Sequence, residues 1–174
     1  LLKVATGELA AQIGSVQRKG LSLYVAQRTD DAPEFFEDFL WAPDATVLKA
    51  RLRVSEDWSE RWSTLSHGER KRAQIAVALW REPEVLALDE PSNHIDSDAR
   101  RLLLLALKEF HGIGLLVSHD RALLDELCDQ CLLIDPPDAV MRPGGVTAAM
   151  EQQDNDEKSV RSTNEALRGT ENRL

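Results

Sequence analysis

Residues 88–96 read Leu-Asp-Glu-Pro-Ser-Asn-His-Ile-Asp, placing two adjacent carboxylates, Asp89 and Glu90, directly after the apolar run Val85–Leu88. Four apolar residues with no polar alternation suit a parallel strand covered on both faces. Acids at the carboxyl end of such a strand stand where open α/β sheets bind their ligands. Paired carboxylates there are costly to desolvate unless a cation or a substrate proton shares them. Asp89 is therefore a candidate Mg²⁺ ligand, and Glu90 a candidate for orienting or deprotonating a water. The plain alternative is an Asp-Glu-Pro turn after an ordinary strand.

Three further groups have types that suit the same chemistry. Leu65-Ser-His-Gly-Glu69 has the form of a capping box, in which Ser66 caps a helix and Glu69 returns to the Ser66 amide. Helix N-termini attract anions, and Gly68 lets a phosphate approach the backbone closely. Most capping boxes, however, merely start helices. Val117-Ser-His-Asp120 ends a second apolar run, where His119 can donate to a terminal phosphate or help place a water. Gln27 comes directly after Leu21–Ala26, a third candidate strand, and its amide can bridge a cation and a water.

The elements that must carry these groups alternate. Helices are expected at Ser66–Arg81, Ser97–Phe110 and Asp120–Leu127, and strands at Val85–Leu88, Gly114–Val117 and Cys131–Ile134. This order predicts an α/β fold with a mostly parallel sheet. Upstream, Leu1–Thr6 reads as a helix stopped by Gly7, and Gln12–Val16 and Leu21–Ala26 as two short strands. Residues 30–64 hold six of the nine aromatics, interleaved with acids and broken at Pro33 and Pro43, which predicts short packed helices. A nucleic-acid platform needs basic neighbours instead.

Composition narrows the function classes. The 174 residues have room for one domain with a real core. A net charge of −9 argues against a surface dominated by phosphate binding, so no direct DNA binding is expected. The longest apolar run, Leu102–Leu107, is six residues, far short of a membrane span. Cys128 and Cys131 lack a second ligand pair and read as core thiols of a protein in the reducing cytoplasm. Residues 151–174, charged and poor in apolar side chains, read as a linker or a solvated helix.

Taken in order, Gln27, Leu65-Ser-x-Gly-Glu69, Leu88-Asp-Glu-Pro91 and Ser118-His119 resemble the nucleotide-binding domain of ATP-binding cassette (ABC) proteins, a P-loop NTPase-like fold with a small helical subdomain. The resemblance covers residues 1–150, with the helical subdomain at about 30–80. It implies ATP and Mg²⁺ as cofactors, with Asp89 and Gln27 at the metal and Glu90 and His119 as catalytic base and switch histidine. Gln27, Ser66, Gly68 and Asp89 would bind nucleotide, and Ser92, Asn93, His94 and Asp96 would form the D-loop. A second cassette, of the same or another chain, is implied as partner.

Glu90-Pro-Ser-Asn-His-Ile-Asp96 is also similar to the corresponding segment of the ABC-F branch. That likeness implies a cytoplasmic ATPase without membrane domains, acting with the ribosome as a translation factor or an antibiotic-resistance protein. A subunit of an ABC transporter is the second reading. Two departures stand out. The loop Gly-x-x-x-x-Gly-Lys-[Ser/Thr] does not occur, and Leu1–Leu9 resembles the family's segment immediately C-terminal to that loop, which implies an N-terminally truncated cassette inactive alone. The signature carries His67 where the family has glycine, which would be strained at a positive φ.

Overall fold

The computed structural model describes residues 1–156 and 158. The chain forms two compact units, Leu1–Asp120 and the residues from Arg121 onward.

In the first unit, a short helix α1 (Leu2–Thr6) ends at Gly7, whose φ of 90° supplies the left-handed cap that the sequence predicts. The sheet comprises β1 (Ser22–Val25), β2 (Val85–Asp89) and β3 (Ile113–Val117), all parallel, in the order β1-β2-β3. Leu86, Ala87 and Leu88 of the central strand are buried, which explains the unbroken apolar run. Val25 lies opposite Leu88, and Asp89 opposite Val117. The carboxyl ends of all three strands therefore share one edge.

Helix α2 (Phe36–Trp41), a 3₁₀ turn at Pro43–Ala45 and α3 (Thr46–Leu52) form the helical region, and further 3₁₀ turns come at Glu56–Trp58 and Trp62–Thr64. Its aromatics pack on one another and on α4 (His67–Trp80). Phe36 meets Trp62 edge-on at 5.4 Å, and Phe39 meets Trp80 at 5.8 Å. Each such side chain contributes about 1.5–3 kcal/mol by leaving water, which is what fixes these short helices. Ala73, Ile75 and Ala76 of α4 are fully buried, so this helix is the spine of the unit. Helix α5 (Ser97–Lys108) covers the same core through Leu102 and Leu103.

Two expectations are corrected. Gln12–Val16 forms no strand: Ile13 is 96% exposed, and no strand among the described residues offers it a ladder. The third strand of the alternating series, expected at Cys131–Ile134, does form as β4 (Gln130–Asp135). It pairs antiparallel with β5 (Asp138–Pro143) in a separate two-stranded sheet rather than joining the parallel one. A two-residue turn, Pro136-Pro137, is short enough for a hairpin and too short for a crossover.

The second unit begins with α6 (Arg121–Leu127) and continues through this hairpin into helical backbone at 146–156. Cys128 and Cys131 are free thiols, both half-buried, and burial pushes both thiols above the ordinary range. The linker expected at 151–174 lies, beyond its first turns, outside the described residues.

Candidate nucleotide site

The acid pair sits where the central strand ends. Asp89 is the last residue of β2, and its Oδ2 accepts a 2.6 Å hydrogen bond from the Tyr24 hydroxyl on β1. Burial first, then the hydrogen bond and the Asp89 charge, push the Tyr24 phenol up to about 12. Glu90 does not continue the strand's alternation. Its amide still donates to the Val117 carbonyl at 2.8 Å, but its φ is 46°, in the left-handed region. That conformation costs a non-glycine residue about 1–2 kcal/mol. A strained backbone held by the surrounding fold is a frequent mark of a functional residue.

His119 and Ser118 close the edge from β3. The Glu90 Oε2 accepts from the His119 amide at 3.2 Å, with the Ser118 hydroxyl at 3.5 Å, the limit of hydrogen-bond reach. The imidazole Nε2 of His119 lies 3.6 Å from Glu90 Oε1 and is fully exposed, whereas the Glu90 side chain is only 13% exposed. The imidazole can thus turn toward a ligand while the carboxylate stays seated. Gln27 lies two residues beyond β1 and is exposed at the same edge. Three strand ends accordingly bring Gln27, Asp89, Glu90 and His119 to one end of the sheet.

Sequence reasoning missed what holds the Gln27 loop. Lys71, on α4, is fully buried, and its ammonium donates to the carbonyls of Ala26 (2.6 Å) and Gln27 (3.0 Å) and to Gln74 Oε1 (2.9 Å). Desolvation lowers its pKa to about 8, partly opposed by the Asp89 charge. Its position within Arg70-Lys-Arg72 reads as a solvated basic run, so only packing reveals it. Tyr24 was legible only in part: parallel pairing places it opposite Ala87, on the same face as Asp89 two residues on.

Ser66 and Gly68 lie elsewhere, at the start of α4. The capping box is complete: Ser66 Oγ accepts from the Glu69 amide at 3.2 Å, and Glu69 Oε2 accepts from the Ser66 amide at 2.7 Å. His67 opens the helix and is absent from the residues with positive φ, so the strain envisaged for it does not arise. Its Nδ1 pairs with the Thr29 hydroxyl at 3.1 Å, and its ring meets that of His94 edge-on. Burial, then the charges of Lys71 and His94, hold its imidazole below the ordinary value.

At Gly68 an added Cβ would meet only Ala99 and Ile95 side chains, at 3.6–3.8 Å. Neither backbone angle nor crowding therefore calls for glycine there. The residues of the 92–96 segment have structural partners: Asn93 donates its amide to the Glu90 carbonyl, Ser92 Oγ lies 3.3 Å from Ser118 Oγ, and Asp96 caps α5 through the Ala99 amide at 2.7 Å. No hydrogen bond joins Ser66 or Gly68 to Asp89, Glu90 or His119 among the described residues.

These features define an ABC cassette. The family model described as ABC transporter matches residues 1–93, and the chain belongs to that family. Its sequence is 35% identical over 147 residues to the probable ATP-binding protein YheS of Haemophilus influenzae, covering 77% of this chain and 23% of that protein. It is 34% identical over 124 residues to the energy-dependent translational throttle protein EttA of Escherichia coli, covering 68% and 22%. These relatives bear out the ABC-F resemblance of residues 90–96.

The chain spans less than a quarter of the length of those relatives. Among solved structures it is similar to an RNase-L inhibitor (TM-score 0.61, 21% identity, 87% of this chain and 33% of that one). A metal-chelate type ABC transporter in an inward-facing conformation gives a TM-score of 0.62 at 18% identity, covering 82% and 66%. Both likenesses confirm the α/β cassette fold. No helix among the described residues is long and apolar enough to cross a membrane.

Proposed function

We propose that this cassette binds Mg²⁺–ATP at the shared strand ends and, in its full-length protein, hydrolyses it together with a second cassette. The convergence of Gln27, Asp89, Glu90 and His119 at one edge of the sheet carries this reading. The donor set suits a hard cation, because a carboxylate and an amide oxygen are the ligand types that Mg²⁺ accepts. Asp89 and Gln27 would hold it, and the cation would supply charge neutralisation for the phosphates. Tyr24 fixes the Asp89 carboxylate. Glu90 takes a proton from the attacking water, and His119 faces the terminal phosphate.

Ser66 and the amide of Gly68 serve the nucleotide held by the opposite cassette, which accounts for their separation from the acid pair. The Ser92–Asp96 turn links the two regions. Binding closes the cassette pair and hydrolysis opens it, a population shift that a partner can read. The name of the EttA relative favours translation as the setting, hence a cytoplasmic protein with the ribosome as partner, in a translation-factor or antibiotic-resistance role. The family description favours a transporter subunit as the second reading. Sedimentation with ribosomes against copurification with membrane subunits separates them. Because this sequence holds no phosphate loop, turnover is expected only in the full-length protein.

Glu90→Gln is the decisive substitution. Glutamine keeps the size of the side chain and the same backbone demand at φ 46°, so the fold is little affected. Removing a general base lowers turnover by about 10²–10⁴-fold, and the variant should accumulate in the closed, ATP-bound form. Undiminished turnover would exclude Glu90 as the base.

A further inference from the structure

Four consecutive carbonyls, those of Ala26, Gln27, Arg28 and Thr29, are each met by a side chain of α4. Lys71 takes the first two, Gln74 Nε2 donates to Arg28 O at 2.8 Å, and Arg70 Nη1 reaches Thr29 O at 3.5 Å. The Thr29 hydroxyl is in turn paired with His67 on the same helix. Lys71 is the centre of this clamp, since it is the fully buried member and joins two carbonyls while itself held by Gln74. Among the described residues, the backbone amides of 26–29 make no backbone hydrogen bond that would fix the loop independently. Without the clamp, the loop is held among the described residues by β1 before it and by the Trp62 Nε1 donation to the Asp30 carbonyl after it.

We propose that Lys71 is a positioning residue that ties the Gln27 loop to α4, so that the Gln27 amide and the Ser66–Gly68 turn travel as one body. This rests on the nucleotide-site reading above for its functional meaning, though not for its geometry. Gln27 belongs to the site of its own cassette and Ser66–Gly68 to the site of the opposite one. A rigid connection between them makes the placement of the metal-facing amide depend on how α4 is docked. An isolated loop would instead let Gln27 reach the cation whatever the position of the helix.

Limited proteolysis reads the clamp directly. The Arg28 side chain is 88% exposed, yet the carbonyl of the Arg28–Thr29 bond is held by Gln74 and must be released before trypsin can cleave it. Lys19–Gly20, in an exposed segment, serves as the internal reference. In the full-length protein, Lys71→Met keeps the methylene packing and removes the donors. Loss of two carbonyl hydrogen bonds should speed cleavage at Arg28 about tenfold relative to Lys19. The Mg²⁺ concentration for half-maximal ATP turnover should rise several-fold, with a smaller change in kcat. Lys71→Arg, which restores donors, should recover part of both.

Unchanged cleavage in a folded Lys71→Met protein would overturn the clamp. Faster cleavage with an unaltered Mg²⁺ requirement would overturn the positioning role. Absence of turnover in the wild-type protein would remove the nucleotide-site reading and the positioning role with it, while the cleavage ratio still decides the clamp. Should Lys71→Met fail to fold, Gln74→Ala removes the donor to Arg28 together with one acceptor of Lys71, and unchanged cleavage there would count equally against the proposal.

Discussion

Tyr24 offers a direct optical test of the site, because it is the only tyrosine in the chain and its phenolate absorbance has no competitor. Its hydroxyl donates to Asp89 at 2.6 Å, and burial together with that carboxylate raises its pKa from 10.0 to about 12. At pH 10 an ordinary tyrosine is half ionised, whereas a group with this pKa is about one part in a hundred ionised. The comparison can therefore be made at pH 10 without titrating to the midpoint.

Asp89→Asn removes the negative charge while burial remains, so ionisation at pH 10 should increase without reaching one half. The folded-state value lies above the unfolded one, so this proton contributes stability that is fully present below pH 10 and lost as pH climbs toward 12. Two units correspond to at most about 3 kcal/mol, and partial exposure of the ring brings the contribution nearer 1 kcal/mol. Half-ionised Tyr24 in the folded wild type at pH 10, or no response to Asp89→Asn, would refute the pairing and with it the fixed carboxylate.

Two substitutions at the start of α4 separate fold from function. Ser66→Ala removes the acceptor for the Glu69 amide and should lower stability by about 1 kcal/mol. For a chain of this size that is a drop of roughly 2–4 °C in Tm by calorimetry; an unchanged Tm would show the capping box to be idle. Gly68→Ala, with space for the methyl group and helical backbone, should leave stability unchanged or raise it by up to about 1 kcal/mol. Turnover by the full-length cassette pair should nevertheless fall, because the methyl group would stand between the amide and a phosphate. Retained turnover would mean that Gly68 faces no ligand.

The parts of the fold legible in the sequence are those set by local pattern. Strand β2 and its acids announce themselves by an apolar run that ends abruptly, and α4 by its capping box and buried face. The convergence of Gln27, Asp89, Glu90 and His119 is implied once three strands are parallel, since parallel strands place their carboxyl ends together. What escaped depends on contacts distant in sequence. Lys71 meets residues more than 40 positions away, and its charge argues for solvent until the three acceptors around it are seen. The left-handed turn at Glu90 ends the strand's alternation, and an Asp-Glu-Pro sequence alone does not announce it. Gln12–Val16 had the composition of a strand, but β pairing needs a neighbour, which residue type alone does not supply.

The left-handed backbone at Glu90 has an evolutionary consequence. Glycine would relax that turn at no steric penalty and asparagine at a reduced one, so selection for thermal robustness alone would push this position away from glutamate. An acid kept there sets chemical utility against folding, and a stabilised cassette obtained by directed evolution would drift first at residue 90. Such a variant would still close its sheet and cap its helices while losing the carboxylate at the strand exit. Position 90 is therefore the place to inspect when a robust homologue of this cassette proves inert.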